Sequence, residues 1–252
     1  MDYKIICIGG AGGNISSALL ETGIPKDKLF YINTDDSRPN YSANSNILLV
    51  GMQVTSGKGA GSNPELGKAI FYSEMNKFLS IVQDNCLYFL VGGFGGGTFS
   101  GISVEFAKLL VKLRKPFVVI GSMPFTFEGR RRVLQAISAR DEIQSITKNA
   151  VIINNDDLRK YYGNMTLDEA FRKADYVISE LFKEVILFSK YAEYNVRLIE
   201  QFINDSEHGV LIKIREFLKN DGLLSVSSSK IIIPDTNTSL LNSLKLHPDL
   251  IY

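Results

Sequence analysis

Three glycine-rich segments constrain the fold of this chain more than any other feature of its sequence. They read GGAGGN at 9–14, GKGAGSN at 57–63 and GGFGGGTFSG at 92–101. Each follows an apolar, strand-like run and precedes a helical pattern. Glycine costs roughly 0.5–1 kcal/mol relative to alanine inside regular structure. The clusters therefore indicate three places where the backbone has to be free of side chains.

The runs between these segments predict an α/β fold. YKIICI, KLFYIN, CLYFLV, PFVVIG and AVIIN are continuously apolar, and helical patterns separate them, including one predicted helix over 65–83. Such runs are typical of a parallel sheet with helices on both faces. We expect an α/β domain over 1–166, a long central helix with the loop after it over 167–204, and a short C-terminal extension over 205–252.

Composition excludes several classes of protein. A net charge of +1 with 22% charged residues gives no general attraction to nucleic acid or to a membrane surface. No apolar run approaches the length of a membrane span, and the N-terminus leads directly into a strand, so we expect a cytoplasmic protein. The two cysteines lie in apolar runs and the two histidines are far apart, which predicts reduced core cysteines and no metal site built from protein ligands.

The glycine segments predict a phosphate-binding site. The carboxyl ends of parallel strands share one edge of the sheet, so the three loops should meet in one crevice, where bare N–H groups and helix N-termini favour anions. GMQVTSGKG does not fit a Walker A loop, and counting G-x-G-x-x-G from Gly10 places Ile15 at the third glycine. The segment INTDD, about twenty residues later, nevertheless has acids at the end of a strand, where dinucleotide enzymes have their ribose-binding acid. A Rossmann-like oxidoreductase therefore stays an alternative, which the second and third glycine loops weaken.

Three consecutive arginines give a second indication of a nucleotide. Arg130, Arg131 and Arg132 fall in the first turn of a predicted helix, where cations oppose the helix dipole. An arginine that faces a phosphate or a ribose would explain this position. Glu128, just before them, could accept from a ribose hydroxyl. A solvated face is the alternative interpretation for Arg130 and Arg131.

Six motifs in order resemble the nucleotide-contacting loops of the tubulin/FtsZ family, and they are most similar to its FtsZ branch. These are GGAGGN, INTD, GKGAGSNPELG, GFGGGTFSG, PFTFEGRRR and INNDDL…LDEAFRKAD, spread over residues 3–200. The resemblance implies a GTP- or GDP-binding protein of the cytoskeleton, serving cell division or DNA segregation, that associates with itself or with a related filament. Mg²⁺ would be held through the nucleotide phosphates.

The resemblance also implies a role for individual residues. The first phosphate loop would comprise Gly10, Ala11, Gly12 and Asn14; the loop that senses the γ-phosphate, Ala60, Gly61 and Asn63; the loop around the β- and γ-phosphates, Gly95, Gly96, Gly97 and Thr98; the ribose contacts, Glu128 and Arg132; and the guanine site, Asn155, Phe171 and Asp175.

The chain departs from the family pattern at three places. Phe99 replaces a glycine of the signature loop, where its ring could crowd or cover the phosphates. The family loop N-x-D-x-x-D, which completes the site of the next subunit, aligns with Asn195, Arg197 and Glu200, so one acid is replaced by a cation. About fifty residues follow, which predicts that any assembly is weaker than in full-length relatives or uses different surfaces. We therefore expect a slow GTPase or, alternatively, a non-hydrolysing, nucleotide-gated module that modulates another filament.

Overall fold

A six-stranded parallel sheet forms the centre of the molecule. The computed structural model describes residues 2–37, 46–82, 85–157 and 166–191. The strands lie in the order β3-β2-β1-β4-β5-β6, and every neighbouring pair is parallel. Their bounds are β1 Asp2–Ile8, β2 Leu29–Asn33, β3 Asn46–Leu49, β4 Cys86–Gly93, β5 Phe117–Met123 and β6 Ala150–Asn154.

Seven α-helices whose bounds are defined within the described residues surround this sheet. They are α1 Gly9–Glu21, α2 Met52–Thr55, α3 Pro64–Ser73, α4 Met75–Ile81, α5 Gly97–Lys112, α6 Arg130–Ile146 and α7 Leu167–Tyr191. The predicted single helix over 65–83 is wrong, because it divides at Glu74, where φ is −117° and ψ is 26°. The Glu74 carboxylate accepts from the Gly51 N–H at 2.7 Å, which ties this residue to the turn after β3.

Alternate residues of the central strand β4 pack against different helical layers. Tyr88 and Leu90 belong to the apolar cluster that also contains Phe71 of α3. Phe89, between them in the sequence, contacts Phe182 of α7 with ring centroids 4.8 Å apart. Helix α1 packs on β4 and on α7, whereas α3 packs on α5 and α5 on α6. The sheet is therefore covered on both faces, as the apolar strands predict.

The strand order produces a crevice between β1 and β4. From β1 the chain continues to β2 and β3 on one side of the sheet, and from β4 it continues to β5 and β6 on the other side. The connections after β1 and β4 therefore turn away from each other. Ile8 pairs with Gly92, so the two strands end at the same level. Helix α1 begins immediately at Gly9, and α5 begins at Gly97. Both helix N-termini therefore lie at the edge where the glycine segments were expected to meet.

The two cysteines are buried and free, as predicted for core residues. Desolvation raises the pKa of the Cys7 thiol well above its usual range, which disfavours the reactive thiolate. Among the helices in the described ranges, none combines the length and the apolar character that a membrane crossing requires.

Candidate functional site

The second and third glycine segments are joined by hydrogen bonds. The Gly97 N–H donates to the carbonyl of Gly61 at 2.6 Å. Thr34, directly after β2, accepts from the Ala60 N–H at 2.9 Å, and its hydroxyl lies 2.7 Å from the hydroxyl of Thr98. The end of β2, the start of α5 and the loop over 60–63 therefore form one connected structure.

The first glycine segment lies beside the third. Gly9 has φ +75°, and a Cβ placed on it would lie 3.4 Å from Cβ of Thr98. The methyl group of Ala11 lies 2.9 Å from the place that a Cβ on Gly93 would take. All three glycine segments therefore meet at one edge of the sheet, as the sequence predicts.

The glycines of this edge fall into two groups. A Cβ on Gly12 or Gly97 would lie within 2.9 Å of backbone atoms, so the close packing of the fold requires both residues to be bare. Gly10 and Gly96 are different, because a Cβ on either would have no described atom within 4 Å. Gly96 also has φ −85°, which any residue adopts. Neither packing nor backbone conformation in the described structure explains these two glycines, whereas a molecule bound in the crevice would.

Glu128 and Arg132, the two residues expected to contact a ribose, form an ion pair. The Arg132 Nε lies 3.1 Å from one carboxylate oxygen of Glu128, and the other oxygen accepts from the Phe125 N–H at 2.7 Å. The Cγ of Arg132 lies 2.7 Å from the position of a Cβ on Gly95. Because it packs over this glycine, the arginine joins the third glycine segment to the loop that carries Glu128.

The two preceding arginines behave differently from each other. Arg131 reaches the carbonyl oxygen of Ser62 with a guanidinium nitrogen at 3.4 Å. Gln135, one helical turn later, donates to the same oxygen at 2.7 Å. Arg130 is exposed. The solvated-face interpretation is therefore incomplete for Arg131, which contacts the second glycine segment.

The residues expected to contact the base come from the end of β6 and from α7. Phe171 of α7 packs edge-to-face on Phe125, with centroids 5.4 Å apart. Asp175, one turn further along α7, is hydrogen-bonded to the side chain of Asn14. Burial raises the pKa of Asp175 to about 7, against the opposing effect of that hydrogen bond. Asn155 is buried, and its side-chain oxygen has no hydrogen-bond partner in the described structure.

The expectation that Phe99 crowds or covers the phosphates is wrong. Its side chain is 2% exposed and packs edge-to-face on Phe94 at 4.9 Å. One ring carbon lies 2.3 Å from the point where a Cβ on Gly92 would stand. The bare backbone of Gly92 gives the ring its room in the core, so the substitution leaves the phosphate side open.

The three residues aligned with the family loop, Asn195, Arg197 and Glu200, lie outside the described residues. Within the described ranges, no group of three or more His, Cys, Asp or Glu side chains is arranged to hold a metal ion.

Thr34 and Gln135 are two residues of this region to which the sequence patterns gave no individual role. The signal for Thr34 is its position directly after a strand within INTD. The signal for Gln135 is its spacing of four residues from Arg131, which places both on one helix face.

Comparison with known proteins places the chain in a family. A family model described as the GTPase domain of the Tubulin/FtsZ family matches residues 2–163. The cell division protein FtsZ of Aquifex aeolicus is 30% identical over 178 residues, which cover 70% of this chain and 48% of that protein. The mitochondrial division protein fszB of Dictyostelium discoideum is 31% identical over 178 residues, 69% of this chain and 49% of that protein.

Solved structures agree with these relatives. An empty FtsZ dimer from M. jannaschii has a TM-score of 0.69 and 29% identity, over 74% of this chain and 55% of that one. The GTPγS-bound protofilament of CetZ2 from Haloferax volcanii shares the fold, with a TM-score of 0.64 and 23% identity. The match covers 81% of this chain and 59% of the CetZ2 chain. The chain spans about half the length of the curated relatives it matches. With the family model matching well over half of its residues, the chain belongs to the tubulin/FtsZ family.

Proposed function

We propose that this chain is an FtsZ-like, guanine-nucleotide-binding protein of the cytoplasm that forms or regulates cytoskeletal filaments. The observation that carries the proposal is the pair Gly10 and Gly96. In the described structure, neither close packing nor backbone conformation requires glycine at these two positions. Both stand at the crevice that also contains Asp175 and Asn155. We assign nucleotide binding to the domain over residues 1–166 and to the start of the region over 167–204, which holds the central helix. The extension over 205–252 follows this region in the sequence and has no part in the proposed binding site.

The phosphate end of the site would use backbone groups. The first turns of α1 and α5 carry N–H groups without intrahelical acceptors, and the helix dipoles add partial positive charge there. At Gly10 and Gly96 a phosphate can approach these groups with no side chain in between. Bound GTP or GDP would also supply the oxygens that hold Mg²⁺, since the described residues offer no ligand cluster of their own.

The base end would use polar side chains and an aromatic ring. The carboxylate of Asp175 can accept from the N1–H and the 2-amino group of guanine, and the side-chain nitrogen of Asn155 can donate to O6 or N3. Phe171 can contribute a stacking face. Adenine lacks both donors, so the Asp175 carboxylate would keep only its Asn14 partner when adenine binds, at a cost of roughly 1–3 kcal/mol.

Calorimetric titration with GTP, GDP and ATP tests the binding. We expect both guanine nucleotides to bind more tightly than ATP by about tenfold or more. Equal affinity for GTP and ATP would overturn the assignment of Asp175. Absorbance of any co-purified nucleotide at 260 and 340 nm tests the oxidoreductase alternative, since only a reduced nicotinamide absorbs at the longer wavelength.

The filament part of the proposal rests on the relatives. The A. aeolicus protein is named for cell division and the H. volcanii structure is a protofilament. Sedimentation and electron microscopy with GTP, with GDP and with a slowly hydrolysed analogue test it. We expect association that depends on the nucleotide. If particles never form in any of the three states, the remaining function is that of a module acting on another filament.

Arg197 favours this second candidate. At the corresponding place the family pattern has an acid that acts on the neighbouring subunit's nucleotide, and an arginine cannot polarise water through a negative charge. Glu200 would remain as the only acid of the loop. Arg197 would then pair with the terminal phosphate and slow its hydrolysis. Arg197→Asp should raise single-turnover hydrolysis at concentrations where the protein associates, whereas an arginine finger would make the same change abolish it.

A further inference from the structure

The loop over 60–63 is fixed from outside as well as by its own turn. Its first two residues are bound by the end of β2 and by the N-terminus of α5, as described above. The carbonyl of Ser62 accepts from Nε2 of Gln135 at 2.7 Å and from the guanidinium of Arg131 at 3.4 Å. A third element, α6, therefore holds the loop through side chains.

The Gln135 contact is more than a means of stabilising the fold. A carbonyl oxygen only accepts hydrogen bonds, so the contact with Ser62 fixes which end of the Gln135 amide faces the loop. The other end, Oε1, is then buried without a hydrogen-bond partner in the described structure. Such an acceptor costs free energy. An apolar side chain of the same size would avoid that cost, so a role in holding the loop explains glutamine better than stability does.

The position of the loop indicates what this contact controls. The loop touches Gly97 at the start of α5 and Thr34 directly after β2, whereas Asn155 directly follows β6, the edge strand on the other side of the β1–β4 pair. A nucleotide whose base lies on that other side would direct its last phosphate towards the loop over 60–63. A diphosphate ends one group earlier and depends less on the loop.

We infer that Gln135 is a positioning residue that holds the loop over 60–63 in place and thereby sets the preference for a nucleoside triphosphate over a diphosphate. This inference rests on the proposed function. A loop that is already held in its binding conformation loses less entropy when the ligand arrives. Releasing the Gln135 contact should therefore weaken binding of the triphosphate selectively.

Gln135→Leu tests the inference, because leucine keeps the volume and removes both the donor and the unpartnered oxygen. We expect affinity for GTPγS to fall about 3- to 10-fold, as for one hydrogen bond. Affinity for GDP should change by less than about twofold, and the denaturation midpoint should stay equal or rise. Gln144→Leu is the matched control, because Gln144 is exposed on the same helix. It should change none of the three quantities.

The other outcomes separate this inference from the proposed function. An equal loss of GTPγS and GDP affinity, or a lower denaturation midpoint with an unchanged affinity ratio, would show a structural role and overturn the inference alone. If the unaltered protein binds neither nucleotide, the proposed function fails and the inference fails with it. Hydrogen exchange adds an independent readout, since amides of the loop should exchange faster in Gln135→Leu than in Gln144→Leu.

Discussion

The two ends of the crevice are built in different ways. At the phosphate end, backbone meets backbone: Gly97 donates to the carbonyl of Gly61, and a Cβ on Gly97 would lie 2.6 Å from that oxygen. At the base end, the polar groups belong to side chains. Asp175 is hydrogen-bonded to Asn14, and the side-chain oxygen of Asn155 has no partner in the described structure. One end is fixed by packing, and the other holds polar groups whose pairing is incomplete.

This difference explains how such a site could bind one class of ligand strongly and still choose within it. Backbone amides at helix N-termini suit any phosphate, so under the proposed function the phosphate end would contribute affinity. The polar groups of the base end would gain partners only from a base with matching donors, so that end would contribute selectivity. Substitutions at the two ends should therefore change different measurements.

The largest effect is expected from Gly96→Val at the phosphate end. Its backbone conformation suits valine and its Cβ would enter open space, so the free energy of unfolding should change by less than about 0.5 kcal/mol. The added side chain would stand between phosphate and backbone and lower GTP affinity by about 100-fold or more, which is about 3 kcal/mol. Calorimetry measures the affinity for GTP, and urea denaturation measures the free energy of unfolding. Unchanged affinity would show that this segment is only a turn.

Gly97→Ala should reverse that result and act on the fold. Its Cβ would collide with backbone atoms of the loop over 60–63, none of which can rotate away as a side chain would. We expect a loss of about 1–3 kcal/mol in the free energy of unfolding, measured in urea without nucleotide. Gly10→Ala is the control, because its Cβ meets no described atom within 4 Å. Equal stability of both variants would contradict the division of the glycines into two groups.

At the base end, Asp175→Asn should change selectivity while it stabilises the empty protein. The ratio of GTP to ATP affinity should fall about 30-fold, as for about 2 kcal/mol of lost pairing. The pKa of Asp175 is raised from 3.8 to about 7, so its ionisation costs stability progressively between these values and fully above pH 7. The variant should gain thermal stability at pH 8 and lose that gain near pH 3.5. A gain that grows towards acid pH would contradict this sign.

The smallest effect is a pH dependence of binding. Guanine donors need the ionised carboxylate, so below pH 7 the binding of GTP has to release a proton from Asp175. Affinity should rise by up to about tenfold per pH unit from pH 6 to 7 and level off above pH 8. Calorimetry in buffers of different ionisation enthalpy measures the proton release. Asp175→Asn should remove this pH dependence, and its persistence in the variant would assign it to another group.

The sequence by itself determined the sheet and the place of the site. Continuously apolar runs such as CLYFLV can only be buried on both faces, which requires helices on either side of a parallel sheet. Parallel strands then bring their carboxyl ends to one edge, so the positions of the glycine segments along the chain sufficed to predict that they meet. These conclusions depend on local patterns, and local patterns can be read without coordinates.

Only the tertiary structure decided what individual side chains do there. Phe99 lies in the core because Gly92, from a strand seven residues earlier, leaves room for its ring. Glu74, at the break between α3 and α4, accepts a hydrogen bond from Gly51, and Gln135 donates to the distant Ser62. Each depends on which residues from separate segments become neighbours. That proximity is created by the packing of α3, α5 and α6 against one another and the sheet, and helical periodicity alone does not contain it.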